Sequence, residues 1–109
     1  MNDRIIVINP NSTEDCTRGI DAAMDPLRLS GGPEIECMTM HEGPPGVESQ
    51  GDSDSVAIPI RDYVKARDND ARAFVIACFS DPGLHAAREA TEKPVLGIAE
   101  CAYMKAMTL

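Results

Sequence analysis

Four short apolar segments alternating with four helical ones predict an α/β fold. The expected form is a flavodoxin-like, three-layer α/β/α half-sandwich on a four-stranded parallel sheet of order 2-1-3-4. Three observations carry this. The β-branched run Ile5-Ile-Val-Ile8 and the run Ala73-Phe-Val-Ile-Ala-Cys-Phe79 are unbroken by polar residues, as strands buried on both faces of a parallel sheet are. Between strand candidates lie stretches with helical spacing, the signature of right-handed βαβ crossovers. The length, 109 residues, suits one domain spanning residues 1–109.

Taken in order, residues 4–8 form the first strand, and Asn9-Pro-Asn-Ser-Thr13 breaks it. Ser12 or Thr13 can cap a helix whose first turn carries Glu14 and Asp15 and which runs to about Met24, before Pro26. Residues 27–33 read as a loop and residues 34–40 as a second strand. A Gly/Pro-rich stretch, Glu42-Gly-Pro-Pro-Gly46, follows. From Asp54 onward Val56, Ala57, Ile60, Tyr63 and Val64 mark one face of a helix, with Pro59 arguing for a kink or a late start. After the strand at residues 73–79, Asp81-Pro82 offers an N-cap and a proline at the first helical position, opening a helix to about Thr91. Residues 94–99 are a fourth strand, and Glu100 begins another helix.

Composition narrows the function. With 43% hydrophobic and 26% charged residues the chain is an ordinary soluble globular sequence, and its net charge of −8 repels nucleic acid and anionic membranes. No apolar run approaches the ~20 residues of a membrane span, and no segment has signal-peptide form, so a cytoplasmic location is expected. Cys16, Cys37, Cys78 and Cys101 include no CxxC pair and no clustered histidine, so neither a disulfide framework nor a metal site is expected. GxGxxG and Walker sequences are absent, and Cys78 and Arg88 lie too far apart for a tyrosine-phosphatase loop. No cofactor is called for.

In a sheet of this order ligands bind beyond the carboxyl ends of the strands, at the switch point between the first and third. Residues 9–13 and 78–83 meet there. Cys78 ends a buried strand, followed by the amides of Phe79, Ser80 and Asp81 and a helix start, a setting that favours thiolate and offers N–H groups to an anion. A buried, inert cysteine is the competing reading. Asn9 and Asn11 flank Pro10, where a carboxamide could donate to a substrate oxygen or serve the turn alone. Cys16, Cys37 and Cys101 read as packing residues. His41 could overlook the crevice, whereas His85 is expected to point away from the thiol.

The stretches RIIVINPNST, EGPPGVES and FVIACFSDPGLHAAREATEKPVLGIAE resemble the N-terminal half of the aspartate/glutamate/hydantoin racemase superfamily, closest to its hydantoin and allantoin branch. The resemblance implies a cofactor-independent racemase of two similar α/β domains, with one cysteine from each acting on opposite faces of a stereogenic carbon. It matches Cys78 to the first-domain cysteine. Asn11 and the Phe79 and Ser80 amides match groups holding substrate oxygens, and Pro10 lines the pocket. The implied partner is a small molecule, a hydantoin, allantoin or amino-acid derivative. The second domain is absent from this sequence, and the apolar final helix, ending at Leu109 without a cap, points to a truncated chain seeking a partner. Pairing of two copies, as a homo-oligomer, could bring two Cys78 residues across one cleft. The alternatives are a decarboxylase or cis-trans isomerase of the same superfamily, or a non-catalytic binding domain.

Overall fold

The computed structural model describes residues 3–109. Strand β1 (Arg4–Asn9) leads through α1 (Glu14–Ala23) to β2 (Glu34–Thr39), and α2 (Gln50–Ala66) leads on to β3 (Ala73–Ile76). Then come α3 (Leu84–Glu89), β4 (Val95–Gly97) and α4 (Ile98–Ala106), with single 3₁₀ turns at Asp25–Leu27 and Asp68–Asp70. The strands form one parallel sheet of order β2-β1-β3-β4, as the sequence predicts. In register, Ile8 lies opposite both Met38 and Ile76, and Val7 opposite Cys37 and Val75.

Crossover handedness distributes the helices. The step from β1 to β2 runs in one direction across the sheet, while the steps from β2 to β3 and from β3 to β4 run in the other. Right-handed connections therefore place α1 on one face and α2 with α3 on the opposite face. On the α2/α3 face Ile6, Ile8, Phe74 and Ile76 are fully buried against Val56, Ile60 and Val64 of α2 and Leu84 and Ala87 of α3. Removing each of the Val, Leu, Ile and Phe side chains from water contributes about 1.5–3 kcal/mol. On the other face, beside α1, an apolar hollow of about 430 Å³ remains among Ile5, Val7, Val75, Ile20, Met24 and Ile98 at the start of α4.

Several element boundaries differ from the sequence expectation. Helix α2 starts at Gln50, ahead of Asp54, because the Ser49 hydroxyl accepts from the Asp52 amide at 3.0 Å and caps it there. Pro59 lies inside α2 instead of starting it. Strand β3 ends at Ile76: the Ala77 amide still donates to the Ile8 carbonyl at 2.8 Å, but a turn closed by the Asp81 amide on the Cys78 carbonyl at 3.0 Å follows. Helix α3 spans only Leu84–Glu89, and β4 gives way at Ile98 to α4.

Beneath the far end of the sheet, Arg67 at the C-terminus of α2 grips Glu36 of β2 through both guanidinium nitrogens, at 2.9 and 3.0 Å. These bonds hold the Glu36 carboxyl below the usual carboxylate range. They tie the edge strand to the helix that crosses the sheet.

Candidate functional site at the carboxyl ends of β1 and β3

Beyond Ile8 the first strand ends in a hydrogen-bonded knot. Asn9, 2% exposed, donates from Nδ2 to Asn11 Oδ1 at 3.0 Å and to Thr17 Oγ1 at 2.9 Å, while its own Oδ1 accepts from the Asn11 amide at 3.2 Å. Asn11 Oδ1 accepts a second bond from the Thr13 amide at 2.9 Å, and Thr17 meets Thr39 of β2 at 2.6 Å. Both acceptor positions of the Asn11 oxygen are thus filled. Its Nδ2 has no acceptor among the described residues, so the side chain presents donors alone. Turn chemistry and ligand chemistry, left open by the sequence, divide between the two atoms of one carboxamide.

Pro10 is buried within this bend. The loop after β2 closes over it: the Ser12 amide donates to the Pro44 carbonyl at 2.9 Å and the Thr13 hydroxyl to the Pro45 carbonyl at 2.7 Å. Gly43 permits the approach, since a Cβ there would overlap the Pro10 carbonyl. Thr13 does hold the N-cap position of α1, but its hydroxyl is spent on Pro45 and makes no cap bond.

Next to this knot, across the β1–β3 pairing, the chain turns at Cys78. The thiol is half-buried, with its Sγ 3.6 Å from Ser80 Oγ. The Phe79 and Ser80 amides have no acceptor among the described residues. The Phe79 ring is 74% exposed and lies toward the apolar hollow, so only its amide is available to the site. Ser80 reaches the opposite way, to Ser53 Oγ on α2 at 3.3 Å. Carboxamide donors, free amides and a thiol therefore gather at the switch point, the part of a doubly wound sheet where ligands bind.

Asp81 has a different role from the one its sequence context suggests. The cap position of α3 is Gly83, whereas the Asp81 carboxylate accepts from the Ala99 and Glu100 amides at 2.9 and 2.8 Å and caps α4. It does so from a left-handed backbone, φ 47°, which aspartate tolerates better than most residues. Gly97 leaves the space that this carboxylate fills.

The remaining candidates disperse. His41 is exposed and pairs with Glu14 at 3.3 Å, and His85 is exposed on α3. Cys16 and Cys101 are exposed, not packed as the sequence reading has them: each sits on the solvent side of its helix. Cys37 is partly covered, and burial pushes its thiol up to about 11. Among the described residues no three His, Cys, Asp or Glu side chains gather as a metal set, and no helix is long and apolar enough to cross a membrane. A hollow of about 660 Å³ beside Arg4, Arg28 and Glu34 lies at the opposite end of β2 from this chemistry. Sequence reasoning missed Ser53 and Thr17. The signal for Ser53 was a hydroxyl standing three residues before Val56 on the apolar stripe of α2.

The sequence pattern of the family described as Asp/Glu/Hydantoin racemase matches residues 5–109. This chain belongs to that family. It is 44% identical over 107 residues to a hydantoin racemase of Pseudomonas sp. (strain NS671), covering 95% of this chain and 42% of that protein. It is 39% identical over 102 residues to a hydantoin racemase of Paenarthrobacter aurescens, covering 91% and 42%. Among solved structures the allantoin racemase from Klebsiella pneumoniae superposes with a TM-score of 0.88 at 38% identity, covering 97% of this chain and 43% of that one. As a family member, the chain spans less than half the length of the racemases it matches.

Proposed function

We propose that this chain supplies one half of the active site of a cofactor-independent racemase acting on a small cyclic amide, a hydantoin or allantoin, or on an amino-acid derivative. The observation that supports it best is the convergence, at the ends of adjacent strands, of the Cys78 thiol with donor-only groups: Asn11 Nδ2 and the Phe79 and Ser80 amides. The reaction needs these types together. The Cys78 thiolate takes the proton from the carbon α to a carbonyl, and the C–H electron pair moves toward the carbonyl oxygen. Negative charge develops on that oxygen, where the fixed donors stabilise it more in the transition state than in the substrate. Pro10, which the resemblance assigns to the pocket lining, is instead fully buried beneath the loop after β2 and stiffens the bend that carries Asn11.

A second acid must deliver a proton to the opposite face, because a base that returns its own proton regenerates the starting enantiomer. In this reading that acid lies in the part of the racemases' length that the present residues do not span, as a second cysteine facing Cys78. Incubating the protein with one enantiomer of a 5-substituted hydantoin in deuterium oxide tests the half-site. Deuterium incorporation at the stereogenic carbon with retention is the expected outcome for one working base, and incorporation with inversion indicates that two copies share a cleft. Cys78→Ser should lower the exchange at least a hundredfold, as loss of a positioned acid/base group does. Exchange that persists in Cys78→Ser overturns the role of that residue, and no exchange in the wild-type protein favours a binding domain.

A further inference from the structure

The buried stripe of α2 runs Ser53, Val56, Ile60, Val64. Three of these positions are apolar and the first is a hydroxyl only 9% exposed. A hydroxyl taken out of water in such a stripe is unfavourable unless it is hydrogen-bonded, and alanine would fill the position at no polar cost. The side-chain partner of Ser53 is Ser80, at 3.3 Å, whose own oxygen is 3.6 Å from Cys78 Sγ. Three groups from two elements thus form a chain: helix hydroxyl, loop hydroxyl, thiol.

We infer that Ser53 is a positioning residue for the Cys78 thiol, acting through Ser80; this rests on the reading of Cys78 as the acid/base group. The chain has a direction. Ser53 is carried by the helix, and in this reading its hydroxyl is the donor to Ser80 Oγ, 3.3 Å away. Ser80, with its oxygen engaged, has one proton left to donate, and Cys78 Sγ, 3.6 Å away, can accept it. Donation to sulfur favours the thiolate over the thiol. When Cys78 gains a proton from substrate, its S–H can turn to donate toward Ser80 Oγ, so the same contact serves both states. Ser80 is exposed in a loop, and without Ser53 its hydroxyl would be free to turn to water. Of the charged groups near this chain, the Asp81 carboxylate holds the α4 amides and Glu100 pairs with Arg88, while Glu48 lines the same hollow as Ser53 and Ser80.

Thiol labelling tests this on the chain as it stands, independently of turnover. The rate of iodoacetamide modification of Cys78 is followed by peptide mass from neutral to alkaline pH. Ser53→Ala should slow Cys78 labelling about fivefold at neutral pH, with labelling of Cys16 and Cys101 unchanged. Ser80→Ala should do the same, the double variant no more than either alone, and Ser53→Thr should restore the wild-type profile. If Ser53→Ala loosens the helix, seen as faster labelling of Cys37, Ser53→Val removes the hydroxyl while filling the space. An unchanged Cys78 profile in the hydroxyl-free variants, or additive effects of the two serines, overturns the inference. Should Cys78→Ser retain deuterium exchange while the labelling shifts appear, the acid/base role fails and the hydroxyl chain stands.

Discussion

Cys37 and Cys78 are thiols of one sheet in contrasting surroundings. Cys37 lies within β2, covered on one side by the α1 layer, and burial with the nearby Asp21 carboxylate pushes it up to about 11. Cys78 stands past the end of β3 with a hydroxyl beside it. Because only the thiolate is alkylated, a thiol displaced from its usual range of about 9 to about 11 is about a hundredfold less reactive at mildly alkaline pH. Peptide-resolved labelling at that pH should therefore modify Cys37 last, well after the exposed Cys16 and Cys101, and its rate should climb about tenfold per pH unit until the thiol titrates. Labelling of Cys37 as fast as of Cys101 would contradict its placement. At this scale the sequence spoke unevenly. It placed Asn11 and Cys78 just past the ends of the first and third strands, because strand ends and turn residues are local signals. It could not tell that Asn11 Oδ1 is consumed by Asn9 and Thr13, because that depends on which atom of a carboxamide the fold occupies.

Helix α4 shows what a one-dimensional reading loses at the scale of an element. Asp81-Pro82 has the form of a start signal for the helix that follows it, yet its carboxylate bonds the amides of residues 18 and 19 positions further on. The parallel pairing of β3 and β4 sets the loop after one strand beside the helix start after the other, and no local pattern encodes that adjacency. The strands were legible because apolar β-branched runs report burial directly. Their ends were overshot because Cys78, Phe79, Ile98 and Ala99 continue the apolar run while the backbone has already left the ladder. Asp81→Ala removes both cap bonds and should cost about 1–2 kcal/mol, read as a lower urea midpoint with an unchanged slope. Asp81→Asn, which keeps one acceptor, should lose less. Equal midpoints for Asp81→Ala and wild type would show that α4 contributes nothing to global stability.

For the molecule as a whole, the decisive asymmetry is between the two faces of the sheet. The α2/α3 face carries the core, while the α1 face keeps an apolar hollow open to solvent beside exposed Phe79 and Leu96. Adjacent residues of β3 sample the two environments, since successive side chains point to opposite faces. Ile76 is fully buried among the core residues, and Val75 lines the hollow. Truncating Ile76 to alanine leaves a cavity in a close-packed layer and should cost about 2–5 kcal/mol, a large share of the ~5–15 kcal/mol typical of a domain. Val75→Ala removes methyl groups that water already reaches on one side, so no closed cavity forms and the loss should stay near 1 kcal/mol. Urea titration of the two variants measures the contrast. An environment-sensitive dye such as ANS adds a second reading: it should bind the folded wild-type protein through the hollow, and Val75→Asp should weaken that binding while the fold persists. Equal destabilisation by the two alanine substitutions would mean that both faces are equally closed, and a dye signal indifferent to Val75→Asp would place the accessible apolar surface elsewhere. The same contrast bears on the racemase reading, because Asn11 is anchored through β1 and the start of α1 on the open face while Ser80 is tied to α2 on the closed one, so the half-site straddles both environments.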